Sequence, residues 1–331
     1  MLLSTLCTQK VELMVHCFTL QNDVWQVGIL PETGGSIAFG RVKHRAWSGK
    51  DWLDVLRPTA PTDYGNSSKC SSFIMMPWCN RIRDGVMVFE GERCQLRTAQ
   101  DDGTARHGDV RNRPWEITRA SATMLGLYFD SRQAADVNFP FAFSALAEYA
   151  LENHEFVWRL ALTNEDERRF PAGFGHHPYF VRSPIQPQQW AEAPVLTIDC
   201  AQEFPLTDAM ATGAPQPIAP EVDFRQARLV GDGQFNHLLT GRSDEAGRSE
   251  VFRMRYADAG VELSVKADAI FRHIVLYTLD DQPFVAVEPM TNANDGFNLY
   301  EQGIEGSGVF VLEPGETVRG EVRLSFKAVG V

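Results

Sequence analysis

The stretch Phe156-Val157-Trp158-Arg159-Leu160-Ala161-Leu162-Thr163 places a large apolar residue at every second position. That period belongs to a half-buried strand and not to a helix. It recurs in Val261-Glu262-Leu263-Ser264-Val265-Lys266-Ala267 and in Glu321-Val322-Arg323-Leu324-Ser325-Phe326-Lys327. Turn chemistry punctuates the strands at Pro31-Glu32-Thr33-Gly34-Gly35, Asp101-Asp102-Gly103, Gly231-Asp232-Gly233 and Glu313-Pro314-Gly315-Glu316. Many short strands with such turns predict an all-β sandwich or barrel. Gly28-Ile29-Leu30 does run into Gly34-Gly35, but no helix pattern with a suitably placed acidic residue follows, so a dinucleotide fold is unsupported. The Pro-rich region from Pro184 to Pro220 contains the strand-like Val195-Leu196-Thr197-Ile198 and reads as edge strands and loops of the same domain. Val24-Trp25-Gln26-Val27 is the first convincing strand. Residues 1–16 are therefore expected to form an N-terminal extension, and residues 17–331 one domain.

With 44% hydrophobic and 11% aromatic residues among 331, the chain can bury a large core, which excludes a disordered or fibrous protein. Its 31 Lys and Arg against 43 Asp and Glu leave a net charge of −12, which argues against a nucleic-acid partner. Cys7, Cys17, Cys70, Cys79, Cys94 and Cys200 form no C-x-x-C pair, so neither a disulfide framework nor a zinc knuckle is implied. Met1 to Cys7 has no basic flank, and its apolar run ends at Gln9-Lys10, too short for a secretory leader. No run approaches the roughly 20 apolar residues of a membrane span. The expectation is a cytoplasmic monomer or homodimer without a membrane partner.

Four clusters carry chemistry. In Pro77-Trp78-Cys79-Asn80-Arg81-Ile82-Arg83, two arginines on one strand would share a face and could hold ligand hydroxyls or a carboxylate. His107 precedes Gly108 in a loop from which an imidazole could reach a cleft, with Trp115 as a candidate apolar wall. In Gly173-Phe174-Gly175-His176-His177-Pro178-Tyr179-Phe180, the glycines permit close backbone approach and Pro178 extends His177. Adjacent histidines on an extended segment face opposite sides, so at most one enters a given pocket and a shared metal is disfavoured. Glu288, in Phe284-Val285-Ala286-Val287-Glu288-Pro289, follows an apolar strand where burial would raise its pKa, making it a candidate general base.

Asn80-Arg81-Ile82, His107-Gly108, Gly173-x-Gly175-x-His177-Pro178-Tyr179-Phe180 and Val287-Glu288-Pro289, in that order, resemble the aldose 1-epimerases, or galactose mutarotases. The likeness runs from Leu30-Pro31 to Leu312-x-Pro314-Gly315-Glu316. It implies a large antiparallel β-sandwich, the galactose mutarotase-like supersandwich, with a monosaccharide bound across one sheet. The resemblance assigns His177 as general acid and Glu288 as general base, with Arg81 and His107 holding the substrate. Asn236 stands where the family commonly has a substrate-binding Asp; it can accept a hydrogen bond but lacks the charge.

Interconverting anomers needs one acid and one base, expected on opposite sides of the ring, and no cofactor or metal. Two alternatives stay open: a hexose 6-phosphate 1-epimerase, with Arg83, Arg106 or Arg111 facing the phosphate, and a sugar-binding module without turnover. The net negative charge weighs mildly against a phosphate.

Overall fold

The structure, a computed structural model, describes residues 15–43, 52–191, 194–243 and 247–329. The extension expected over residues 1–16 lies mostly outside these. The first strand is Phe18–Gln21, earlier than Val24, because its residues pair in antiparallel register with Trp25–Leu30 (Phe18 opposite Ile29).

The three period-two stretches become neighbours. Glu155–Asn164, Thr317–Ala328 and Val261–Asp268 lie side by side, all antiparallel, at the centre of a nine-stranded sheet. The Val195–Ile198 run is indeed near one edge of it, followed by Arg228–Leu229. The two faces of the Glu155–Asn164 strand differ as the alternation requires. Phe156, Trp158, Leu160 and Leu162 are buried in the main hydrophobic cluster. Arg159, between them, meets Glu148, Glu152 and Glu321 at 2.6, 2.7 and 2.5 Å on the outer face.

A second antiparallel sheet covers the apolar face. Its long strands are Asn236–Thr240, His273–Thr278 and Phe284–Met290, and the short segments Gly175–His176 and Tyr179–Val181 both pair with the last of these. Aromatic contacts stitch the layers: Phe180 to Phe252 at 5.5 Å, and His176 to Trp158 at 4.6 Å. Such a two-layer sandwich leaves the far face of the second sheet for a site. The sole α-helix among the described residues is Gly296–Glu301, consistent with the scarcity of helical periodicity.

Candidate active site

Register builds the centre of the site. Gly175 lies opposite Met290 and Tyr179 opposite Ala286, so His177, in the gap between these two short strands, comes level with Glu288. On the other side of that strand, Glu288 pairs with Val275, and Tyr277 pairs with Asn236. With a side-chain period of two, these residues emerge on one face. His177, Tyr179, Asn236, Val275, Tyr277 and Glu288 line a cavity of about 280 Å³, completed by Arg81 and Arg106, which pair in a separate two-stranded ladder, and by Ser68, Phe73, Asn80, His107 and Arg111 from the turns and loops.

His176 faces the other way. Its Nδ1 meets Ser72 Oγ at 2.8 Å and its Nε2 meets the Tyr149 hydroxyl at 3.1 Å, so it pins the site strand onto the large sheet. The expected division of the adjacent histidines is therefore present. The glycines act as expected too: a Cβ on Gly173 would lie 1.9 Å from Asn292 Oδ1, and one on Gly175 would lie 2.7 Å from the Pro289 carbonyl oxygen. Asn292 in turn accepts from the Cys79 amide at 3.0 Å, which fixes the loop leading to Asn80 and Arg81.

His177 Nε2 and Glu288 Oε1 are 3.1 Å apart, with the residues 6% and 1% exposed. The pair thus stands side by side on one wall, not on opposite sides of a ring. A physical reason is that the hydroxyl and ring oxygens of a hemiacetal share one carbon, so the groups serving them must be close as well. Glu288 Oε2 and His177 Nδ1 have no hydrogen-bond partner. Burial pushes the Glu288 carboxyl well above its ordinary value, with Arg81 opposing. It pushes the His177 imidazole well below its own, and the Arg57 and Arg111 charges act in the same direction. Both shifts disfavour the charged forms.

His107 adopts a left-handed backbone (φ 58°), which turns its ring into the cavity, where it packs edge-on to His177 at 5.3 Å. Burial, then the His177 and Arg111 charges, lower its pKa. Gly108 follows at φ 70°, where a Cβ would lie 2.0 Å from the Met76 carbonyl oxygen. Arg81 donates to Asp102 at 3.0 Å, and Arg106 meets the same carboxylate at 3.4 Å and Asp101 at 2.7 Å.

Two expectations fail. Arg83 does not share a face with Arg81, because the strand ends at Ile82 and Asp84 turns the chain at φ 53°, leaving Arg83 against Asp295 at 3.5 Å. Trp115 is a core residue, 5% exposed and 5.8 Å from Phe129. The aromatic surfaces of the cavity are instead Phe73, Tyr179 and Tyr277, of which only Tyr179 sat in a motif.

The chain matches the aldose 1-epimerase family over residues 16–325, and it belongs to that family. Among curated relatives it is 25% identical over 279 residues to the uncharacterised YphB of Escherichia coli K12, covering 83% of this chain and 89% of YphB. Among solved structures, a galactose mutarotase-like protein from Clostridium acetobutylicum superposes with a TM-score of 0.80 at 16% identity, covering 95% of this chain and 96% of that one. Galactose 1-epimerase from Lactobacillus acidophilus gives 0.75 at 16% identity, with 97% of each chain covered. The fold is thus the galactose mutarotase-like sandwich.

Proposed function

We propose that this protein is an aldose 1-epimerase that opens and recloses the ring of a free aldose, with Glu288 as base and His177 as acid. The observation that carries this reading is the buried 3.1 Å contact between the two at the bottom of a sugar-sized cavity. Glu288 takes the proton of the anomeric hydroxyl as the bond from the anomeric carbon to the ring oxygen breaks. His177 gives its proton to that ring oxygen. Rotation of the open aldehyde and the reverse transfers yield the other anomer, and the pair returns to its starting state.

Burial supports both transfers. A raised carboxyl pKa makes Glu288 a stronger base, and a lowered imidazole pKa makes His177 a stronger acid. The reactive form is the minor one, with Glu288 ionised and His177 protonated, and the transfers discharge it to the neutral pair that a dry cavity favours. Arg81, His107 and Asn236 hold ring hydroxyls, which supplies orientation and no proton transfer.

Polarimetry of freshly dissolved α-glucose and α-galactose tests this. The protein should accelerate the approach to anomeric equilibrium. Glu288→Gln and His177→Ala should each lower the rate about 10²–10⁴-fold, the usual worth of a placed proton-transfer group. Full rates in both variants would end the assignment. Sugar binding without acceleration would favour a binding module.

A further inference from the structure

The His177 imidazole is flanked by two rings, Phe73 at 4.7 Å and Tyr179 at 4.6 Å between centroids. Against Tyr179 lies the guanidinium of Arg57, 4.0 Å from that centroid and 4.7 Å from the centroid of Phe284. Arg57 does not line the cavity, but backbone and side chain both bind it to the site. Its amide donates to the Tyr179 carbonyl at 2.8 Å, and the Tyr179 amide donates to the Ser71 carbonyl at 2.8 Å. The Ser71 hydroxyl in turn donates to the Arg57 carbonyl, and the guanidinium donates to the Ser68 carbonyl at 3.1 Å and to that of Cys70. Arg57, Tyr179 and the segment that carries Ser68 and Phe73 into the cavity therefore form one unit. Carbonyls anchor a cation without cancelling its charge, and although burial lowers the basicity of Arg57, a guanidinium stays protonated at any working pH. The other groups facing His177 are Glu288, His107, Arg81 and, over Phe73, Arg111. Burial is the largest cause of the low His177 pKa, and Arg57 is the next, ahead of Arg111 and Arg81.

We infer that Arg57 is a positioning residue for the proposed reaction: it meets no part of the sugar and acts on His177 through Tyr179, fixing that ring against the imidazole and holding a full positive charge one ring away. This deepens the epimerase reading and rests on it. A cation over the face of an aromatic ring is attracted by its quadrupole, and more so when desolvated, so Arg57 resists displacement of the Tyr179 ring. A like charge so near disfavours the imidazolium, so the proton that His177 carries in the reactive pair passes more readily to the ring oxygen. Arg81 does less because Asp102 is paired with it.

The test follows kcat/KM against pH in the wild type, Arg57→Met and Arg57→Lys. Met keeps an apolar stem on the Tyr179 ring without the charge, and Lys keeps the charge; Arg57→Gln replaces the Met variant should that one fail to fold. Without the charge, the acid limb should move up by about one pH unit, the size expected of a full charge one ring away at an effective dielectric of about 20. In Arg57→Lys it should stay close to the wild-type position. An acid limb unmoved in the uncharged variant, or moved equally in both, overturns the inference. Should no sugar be turned over, the epimerase reading fails by itself, and NMR titration of the His177 imidazole, assigned by its loss in His177→Ala, still decides. A midpoint raised in the uncharged variant and restored in Arg57→Lys upholds the role of Arg57, and a midpoint common to all three proteins refutes it.

Discussion

Replacing Glu288 by Gln should stabilise the fold at neutral pH. The residue is 1% exposed, one carboxyl oxygen meets His177 and the other meets nothing, and burial holds its pKa well above 4.5. In the unfolded chain the carboxyl ionises near that ordinary value. Above the unfolded value, each pH unit that separates the folded pKa from the unfolded one is worth about 1.4 kcal/mol against folding. The sign follows from the folded value being the higher one. The contribution is favourable below the unfolded pKa and is lost as pH climbs toward the folded pKa. Gln keeps the shape, can donate its amide to His177 Nε2, and does not titrate. Urea denaturation of both proteins from pH 4 to pH 8 measures the effect. The variant should be more stable by about 1–3 kcal/mol at pH 7, with the difference shrinking toward zero at pH 4. A variant less stable at pH 7, or a gain independent of pH, would refute the argument that a buried carboxyl is being held out of its preferred state.

The pH profile of kcat/KM should be a bell reporting a pair that holds one proton between its members. Its acid limb should lie below 6.5, since His177 is depressed, and its alkaline limb well above 4.5, since Glu288 is raised. An acid limb centred at or above 6.5 would contradict this. Gly173→Ala should cost about 1–3 kcal/mol, since the new methyl displaces Asn292 and with it the anchor on Cys79. Thermal unfolding at unchanged Tm would show that the loop yields freely.

How far these features can be read from sequence depends on how local their causes are. The central strands are legible because alternation is a property of eight consecutive residues, and the opposed faces of His176 and His177 follow from the same period. Burial of Glu288 is legible from its apolar neighbours. Arg83 misleads because a single left-handed residue, Asp84, ends the strand, and neither Asp nor its neighbours demand that conformation. Trp115 misleads because packing against Phe129 involves a residue of a distant strand. Tyr277 reaches the cavity by cross-strand register, Phe73 comes from a loop beside a short strand, and Arg111 lacks the Asp101 and Asp102 partners of Arg106. Those relations join residues far apart in the chain, and no short motif encodes them.

Glu288 sits within a strand of the second sheet and His177 in the two-residue gap between two short strands that pair with it, whereas Arg81, His107 and Arg111 come from segments outside that sheet. On the proposed reading, variation in those segments would retune which sugar is accepted while leaving the separation of the two proton carriers untouched.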